Sequence, residues 1–90
     1  MSSTAKAMTA AVAQHLLEGK PITRIEAIVL YGMSNLTATI TGLRRKGFLI
    51  KTRKVSYALA LRRINQVTQL KPPKNLPIRE IMFTEYQLQE

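Results

Sequence analysis

Eleven Lys or Arg residues and not one Asp or Glu lie between Ala27 and Arg79. Nine of the eleven, Arg44, Arg45, Lys46, Lys51, Arg53, Lys54, Arg62, Arg63 and Lys71, fall between Met33 and Lys71. Residues 1–32 and 72–90 nearly cancel, so the middle of the chain carries the formal charge of +9 on 90 residues. A positive field concentrated in this way suits a polyanion. Catalytic chemistry has little to work with: there is no Cys and no Asp, one His (His15) and five Glu. Those residues make no paired carboxylates, no nucleophile–base couple and no thiolate zinc site, so no enzyme, metal centre or cofactor is expected.

The residue types that could read a base sequence gather between Asn35 and Lys46. At 100° per residue, Leu36, Ile40 and Leu43 form one apolar stripe of a helix there. The opposite face carries Asn35, Thr37, Ala38, Thr41, Gly42 and Arg45. Asn can pair with adenine and Arg with guanine, and the methyl groups of Thr and Ala can pack on thymine. Asn35, Thr37, Ala38, Thr41 and Arg45 are therefore the expected base contacts. Ser34, Arg44, Lys46, Lys51, Arg53, Lys54, Arg62 and Arg63 are the expected contacts to the DNA backbone, from the helix flanks and from a wing. The competing reading is a solvated helix face, but such a face ordinarily mixes in Glu or Asp, and none occurs here.

Caps and punctuation supply the elements that must hold this helix. Ala5 to Glu18 reads as a helix, with Met8, Ala11, Val12 and Leu16 at helical spacing and a stop at Gly19. His15 is expected as a hydrogen-bonded histidine at the core edge. Thr23-Arg24-Ile25-Glu26 has the form of a capping box, with Ile22 and Ala27 placed as a hydrophobic staple, which assigns Glu26 to capping. A short helix over 24–31 then ends at Gly32. Ser34 is the expected N-cap of the next helix, and Gly47 its end, with Phe48 folding back on Leu43. Two short helices joined in this way make a helix-turn-helix. Residues 48–61 alternate as a β-hairpin would, with Arg53 and Lys54 near its tip. A helix from Ser56 through Tyr57, Leu61 and Ile64 is the rival reading. Lys71-Pro72-Pro73-Lys74 reads as a stiff linker, and Ile78, Ile81, Met82 and Tyr86 as a short amphipathic helix. The expected architecture is mainly α with a small β-hairpin, in two parts, 1–71 and a proline-led tail, 72–90. The longest apolar run, Ala27 to Tyr31, is far too short to span a bilayer, so a cytoplasmic protein without membrane contact is expected.

Thr23-x-x-Glu26-Ala27, Tyr31-Gly32-Met33, Leu36, Ile40 and Leu43-Arg44-x-x-Gly47-Phe48-x-Ile50 together resemble a winged helix-turn-helix family common in bacteriophage and prophage DNA-binding proteins. The resemblance covers about residues 14–62. It implies three helices plus a wing, with the Asn35–Lys46 helix as recognition helix, in a bacterial cytoplasm or nucleoid. The turn from Ala27 to Gly32 is one residue longer than in the strict repressor-type motif, and no glycine stands at the expected wing tip. The leading functional expectation is sequence-specific binding of double-stranded DNA by a small transcriptional regulator or recombination accessory factor. The alternative is a host-directed interaction module that blocks a nucleic-acid enzyme or RNA polymerase. RNA binding would call for exposed stacking aromatics, whereas Tyr31, Phe48 and Tyr57 are expected in the core. Ile78, Ile81, Met82, Phe83, Tyr86 and Leu88 suggest a homodimer through the tail, and no small-molecule effector is evident.

Overall fold

Local signals decide the helix-turn-helix. In the computed structural model, which describes residues 2–89 and side chains from Lys6 onward, α1 spans Ser2–Leu17, α2 Arg24–Tyr31 and α3 Leu36–Arg45. The capping box forms: Glu26 N–H donates to Thr23 Oγ1 at 3.3 Å, and Thr23 N–H donates to Glu26 Oε1 at 3.0 Å. Gly32 ends α2 at φ 67°, a left-handed conformation that an L side chain would strain. Asn35, not Ser34, caps α3, its Oδ1 accepting from Ala38 N–H at 3.3 Å. The helix therefore starts one residue later than Ser34 would have set it. Beyond α3, Gly47 takes φ 101°, and Phe48 N–H reaches back to the Leu43 carbonyl at 3.2 Å. Val12, Leu16, Ile22, Ala27, Met33, Leu36, Ile40 and Ile50 form the buried core, with Tyr31, Leu43, Phe48, Tyr86 and Leu88 among the half-buried side chains packed on it.

The wing departs from the expected hairpin. One strand, β2, runs unbroken over Ile50–Ser56 and passes directly into a fourth helix, α4, Tyr57–Ile64. Ser56 makes the switch, its side chain accepting from Leu59 N–H at 3.2 Å as an N-cap. Arg53 and Lys54 are thus mid-strand rather than at a turn. The strand that pairs with β2 comes from the tail: Met82–Leu88 form β3, not a helix. β3 lies between β2 and β1, the latter the two-residue strand Ile22–Thr23, in an antiparallel sheet of order β1-β3-β2. Its register runs from Ile50↔Leu88 to Ser56↔Met82, with Ile22↔Tyr86 on the other side. The tail's apolar residues alternate along this strand, and the helical spacing seen in Ile78, Ile81 and Met82 does not continue into it.

Strand alternation divides the sheet into two faces. Ile50, Tyr86 and Leu88 point to the core shared with α1 and α3. Arg53 and Glu85, opposite one another in the register, point the other way and meet Arg63 of α4. α3 and α4 accordingly occupy opposite faces. Residues 65–81 run back along α4: Asn65 Oδ1 accepts from Leu70 N–H at 2.9 Å, while Ala58 N–H and Tyr57 N–H donate to the Ile78 and Ile81 carbonyls at 3.0 and 2.8 Å. The proline-led segment is the return leg that delivers β3 to the sheet, where Phe83 packs edge-on against Tyr57.

Candidate nucleic-acid interface

α3 is sharply two-sided. Leu36 and Ile40 are buried, whereas Thr37, Ala38, Thr41 and Arg45 are exposed on the far side. Small side chains on that face let a helix approach base edges closely, and no carboxylate lies on it. Asn35, expected among the base contacts, has its Oδ1 engaged as the cap. A bidentate contact with adenine would share that oxygen with the cap. Ser34 stands exposed just before it, and Lys46 exposed at the C-terminal end of α3.

A shallow groove opens at the N-terminal end of α3, lined by Thr37, Lys54, Thr84, Met82 and Arg24. Lys54 Nζ donates to Thr84 Oγ1 at 2.9 Å, which holds the ammonium at the groove. The fold therefore brings the start of α3, the wing and the first residue of α2 to one surface. Arg24 carries no distinguishing signal in the sequence pattern, because it is an interior member of the capping box. The signal that could have found it is position: residues in the first turn of α2 lie beside the start of α3 in any helix-turn-helix.

Several of the expected backbone contacts also brace the fold. Arg44 Nη2 donates to the Ile50 carbonyl at 2.7 Å and ties the end of α3 to β2. Arg63 is enclosed between two carboxylates, with Nη2 at 2.7 Å from Glu26 Oε1 and Nη1 at 2.7 Å from Glu85 Oε2. Arg53 Nε lies 2.6 Å from Glu85 Oε1. Glu26 also accepts from the Thr23 hydroxyl at 2.9 Å, so one network joins α2, α4, β2 and β3. Burial alone would push the Glu85 carboxyl up, but the hydrogen bonds and charges of Arg53 and Arg63 together outweigh it and hold it below the usual carboxylate range. Arg63 is thereby held on the side of the sheet away from α3, and Lys51 and Arg53 share its face of the sheet rather than that of Lys54. Arg62 is exposed on α4, also away from α3.

His15 fulfils its expected role. Its Nε2 lies 2.9 Å from the Pro21 carbonyl and its Nδ1 2.7 Å from the Tyr31 hydroxyl. A carbonyl only accepts, so in the neutral ring Nε2 carries the proton and Nδ1 accepts from Tyr31. Among the described residues no group of carboxylates, His or Cys could hold a metal ion, and no helix is long and apolar enough to cross a membrane.

Two helices joined by a glycine-capped turn, with a small sheet supplying a basic strand beside the second helix, define a winged helix-turn-helix, a fold suited to binding DNA. Residues 8–69 match the family model described as a winged helix-turn-helix domain, and the chain belongs to that family. No curated protein and no solved structure matches it. The family match ends before β3, which completes the sheet from outside the matched residues.

Proposed function

We propose that this protein binds double-stranded DNA sequence-specifically, as a small phage-type transcriptional regulator or recombination accessory factor. The observation that carries the reading is the acid-free outer face of α3, with Arg24 and Lys54 gathered at its leading end. α3 enters the major groove, where Thr37, Ala38, Thr41 and Arg45 meet base edges. Arg24, Lys46 and Lys54 meet phosphates on either side. The apolar tail residues, expected from sequence to form a homodimer, have an intrachain use: Tyr86 and Leu88 pack on the core and Phe83 on Tyr57. We therefore read the protein as a monomer, which sedimentation equilibrium checks.

Selection from a randomised duplex library tests the assignment. Arg45→Ala should change the preferred sequence, since a good base contact is worth about 1–3 kcal/mol of discrimination. Arg24→Ala and Lys54→Ala should weaken all sequences alike and reduce the salt slope by about one each. A chain that retards no duplex at low salt would reject the reading in favour of a protein partner.

A further inference from the structure

The cations of the acid-free segment do not all serve the recognition helix. Arg62, Lys71, Lys74 and Arg79 are exposed, and none of their side chains makes an ion pair or hydrogen bond among the described residues. α4 is about 12 Å long at 1.5 Å per residue, and the segment carrying the other three cations is fastened to it at both ends. The Asn65–Leu70 hydrogen bonds hold one end, and the bonds from Tyr57 and Ala58 to Ile81 and Ile78 hold the other. Arg62 stands on the outer side of α4, since Ala60, Leu61 and Ile64 turn inward. The four cations are therefore carried by α4 and the segment that runs back along it, a short basic ridge on the side of the sheet opposite α3.

We propose that this ridge is a second duplex-binding surface, indifferent to sequence, so that one protomer joins two DNA segments. The inference rests on the proposed DNA-binding function, because the first segment is the one held by α3. The four like charges have no acid between Arg62 and Arg79 and only the exposed Glu80 beside them, so a net repulsion remains, and a row of phosphates relieves it. The exposed side chains between them include Asn65, Gln66, Thr68, Gln69 and Asn75, neutral hydrogen-bonding groups suited to phosphate and sugar oxygens. Leu70, Leu76, Ile78 and Ile81 turn partly inward, and Val67, 72% exposed, is the one large apolar side chain standing clear between Arg62 and Arg79, too little for the apolar cluster that anchors a protein partner. A ridge of about 12 Å faces some three or four base-pair steps of 3.4 Å, enough for one row of phosphates. A straight duplex seated on α3 cannot also reach the opposite face of the sheet, so the second surface takes a second segment.

The test uses the full chain and two duplexes of about 20 base pairs, one containing the selected site and fixed to beads, the other of unrelated sequence and fluorescent. The wild type should capture the fluorescent duplex on the beads in a salt-sensitive manner. The fourfold variant Arg62→Ser, Lys71→Ser, Lys74→Ser, Arg79→Ser should lose capture by about tenfold or more, as expected for removing several phosphate contacts. Its anisotropy-measured affinity for the selected site should change far less. The double variant Lys71→Ser, Lys74→Ser, confined to the loop, should show the same loss in part, which guards against misfolding of α4. Capture by the fourfold variant equal to wild type overturns the proposal and would indicate bridging by paired protomers through α3. A wild type that binds the selected site but captures no second duplex also overturns it, while leaving the DNA-binding reading intact. Failure to bind either duplex overturns both.

Discussion

Replacing Arg63 with Met should be among the most damaging single substitutions in this protein, although the residue lies in a run of surface-like cations. Glu26 and Glu85 are 2% and 1% exposed, and Arg63 is the cation that both share. Without it Glu26 keeps only the Thr23 donors, and Glu85 keeps only Arg53, whose side chain is 66% exposed. Breaking a buried pair while leaving its carboxylates in place costs about 3–5 kcal/mol. Small domains have about 5–15 kcal/mol in total, and for an m-value of about 1 kcal/mol/M the urea midpoint would fall by roughly 3 M or more. Arg53→Met should cost about 1 kcal/mol or less because solvent screens that pair, and Arg62→Met, on the outside of the same helix, should stay within about 0.5 kcal/mol. Urea titrations of the three variants followed by far-UV circular dichroism give the order Arg63, Arg53, Arg62. The deficit of Arg63→Met should narrow in acid, where a neutral Glu85 no longer needs the cation. An Arg63→Met variant as stable as Arg62→Met at neutral pH would refute the reasoning.

Wild-type stability should fall as the pH drops below the usual carboxylate range, because Glu85 has its pKa depressed in the fold; the stabilisation is complete above the unfolded value and lost on passing through the folded one. Thermal melts across that range check this, and a Glu85→Gln variant should show a flatter profile. Gly32→Ala should destabilise by roughly 1 kcal/mol or more, since its φ is 67°. Gly42→Ala, inside α3 with no atom within 4 Å of the added methyl, should stabilise by about 0.5–1 kcal/mol in the same melts. Deleting residues 82–90 should abolish cooperative unfolding, because β1 and β2 pair only through β3; a truncated chain that melts like the full one would show that the sheet is dispensable.

Where the determinants were local, the sequence was legible. The Thr23–Glu26 box, Gly32, Gly47 and the Leu36/Ile40 stripe act over three to five residues, and α2 has the bounds that its caps indicate. Residues 55–64 were ambiguous because Val55, Tyr57, Leu59 and Leu61 fit a period of two while Tyr57, Leu61 and Ile64 fit a helix. The missing turn glycine was the deciding clue: no hairpin turn exists there, and Ser56 is a cap. β3 was hidden because its partners stand far away, Leu88 beside Ile50 and Tyr86 beside Ile22. The same distance misled the reading of charge. The segment from Ala27 to Arg79 has no acid of its own, yet Glu26 and Glu85, just outside it, return in space to hold Arg63, and Glu85 also holds Arg53. Contacts of that range leave no periodicity to read.

The central place of β3 also orders the protein's assembly in time. Synthesis proceeds at about 5–20 residues per second, and a chain made only through Ile81 already holds all four helices' residues and two strands that share no ladder. The helix-turn-helix depends on nearby contacts and can condense early, whereas the sheet closes only when a strand from the far end slides between two waiting partners. Such long-range closure is the slow step expected of non-local pairing. A nascent chain would thus own α3 before it owned the groove beside it, and Lys54 would find Thr84 only at that last insertion. That groove would then arrive abruptly, with one strand, rather than accumulate as the chain grows.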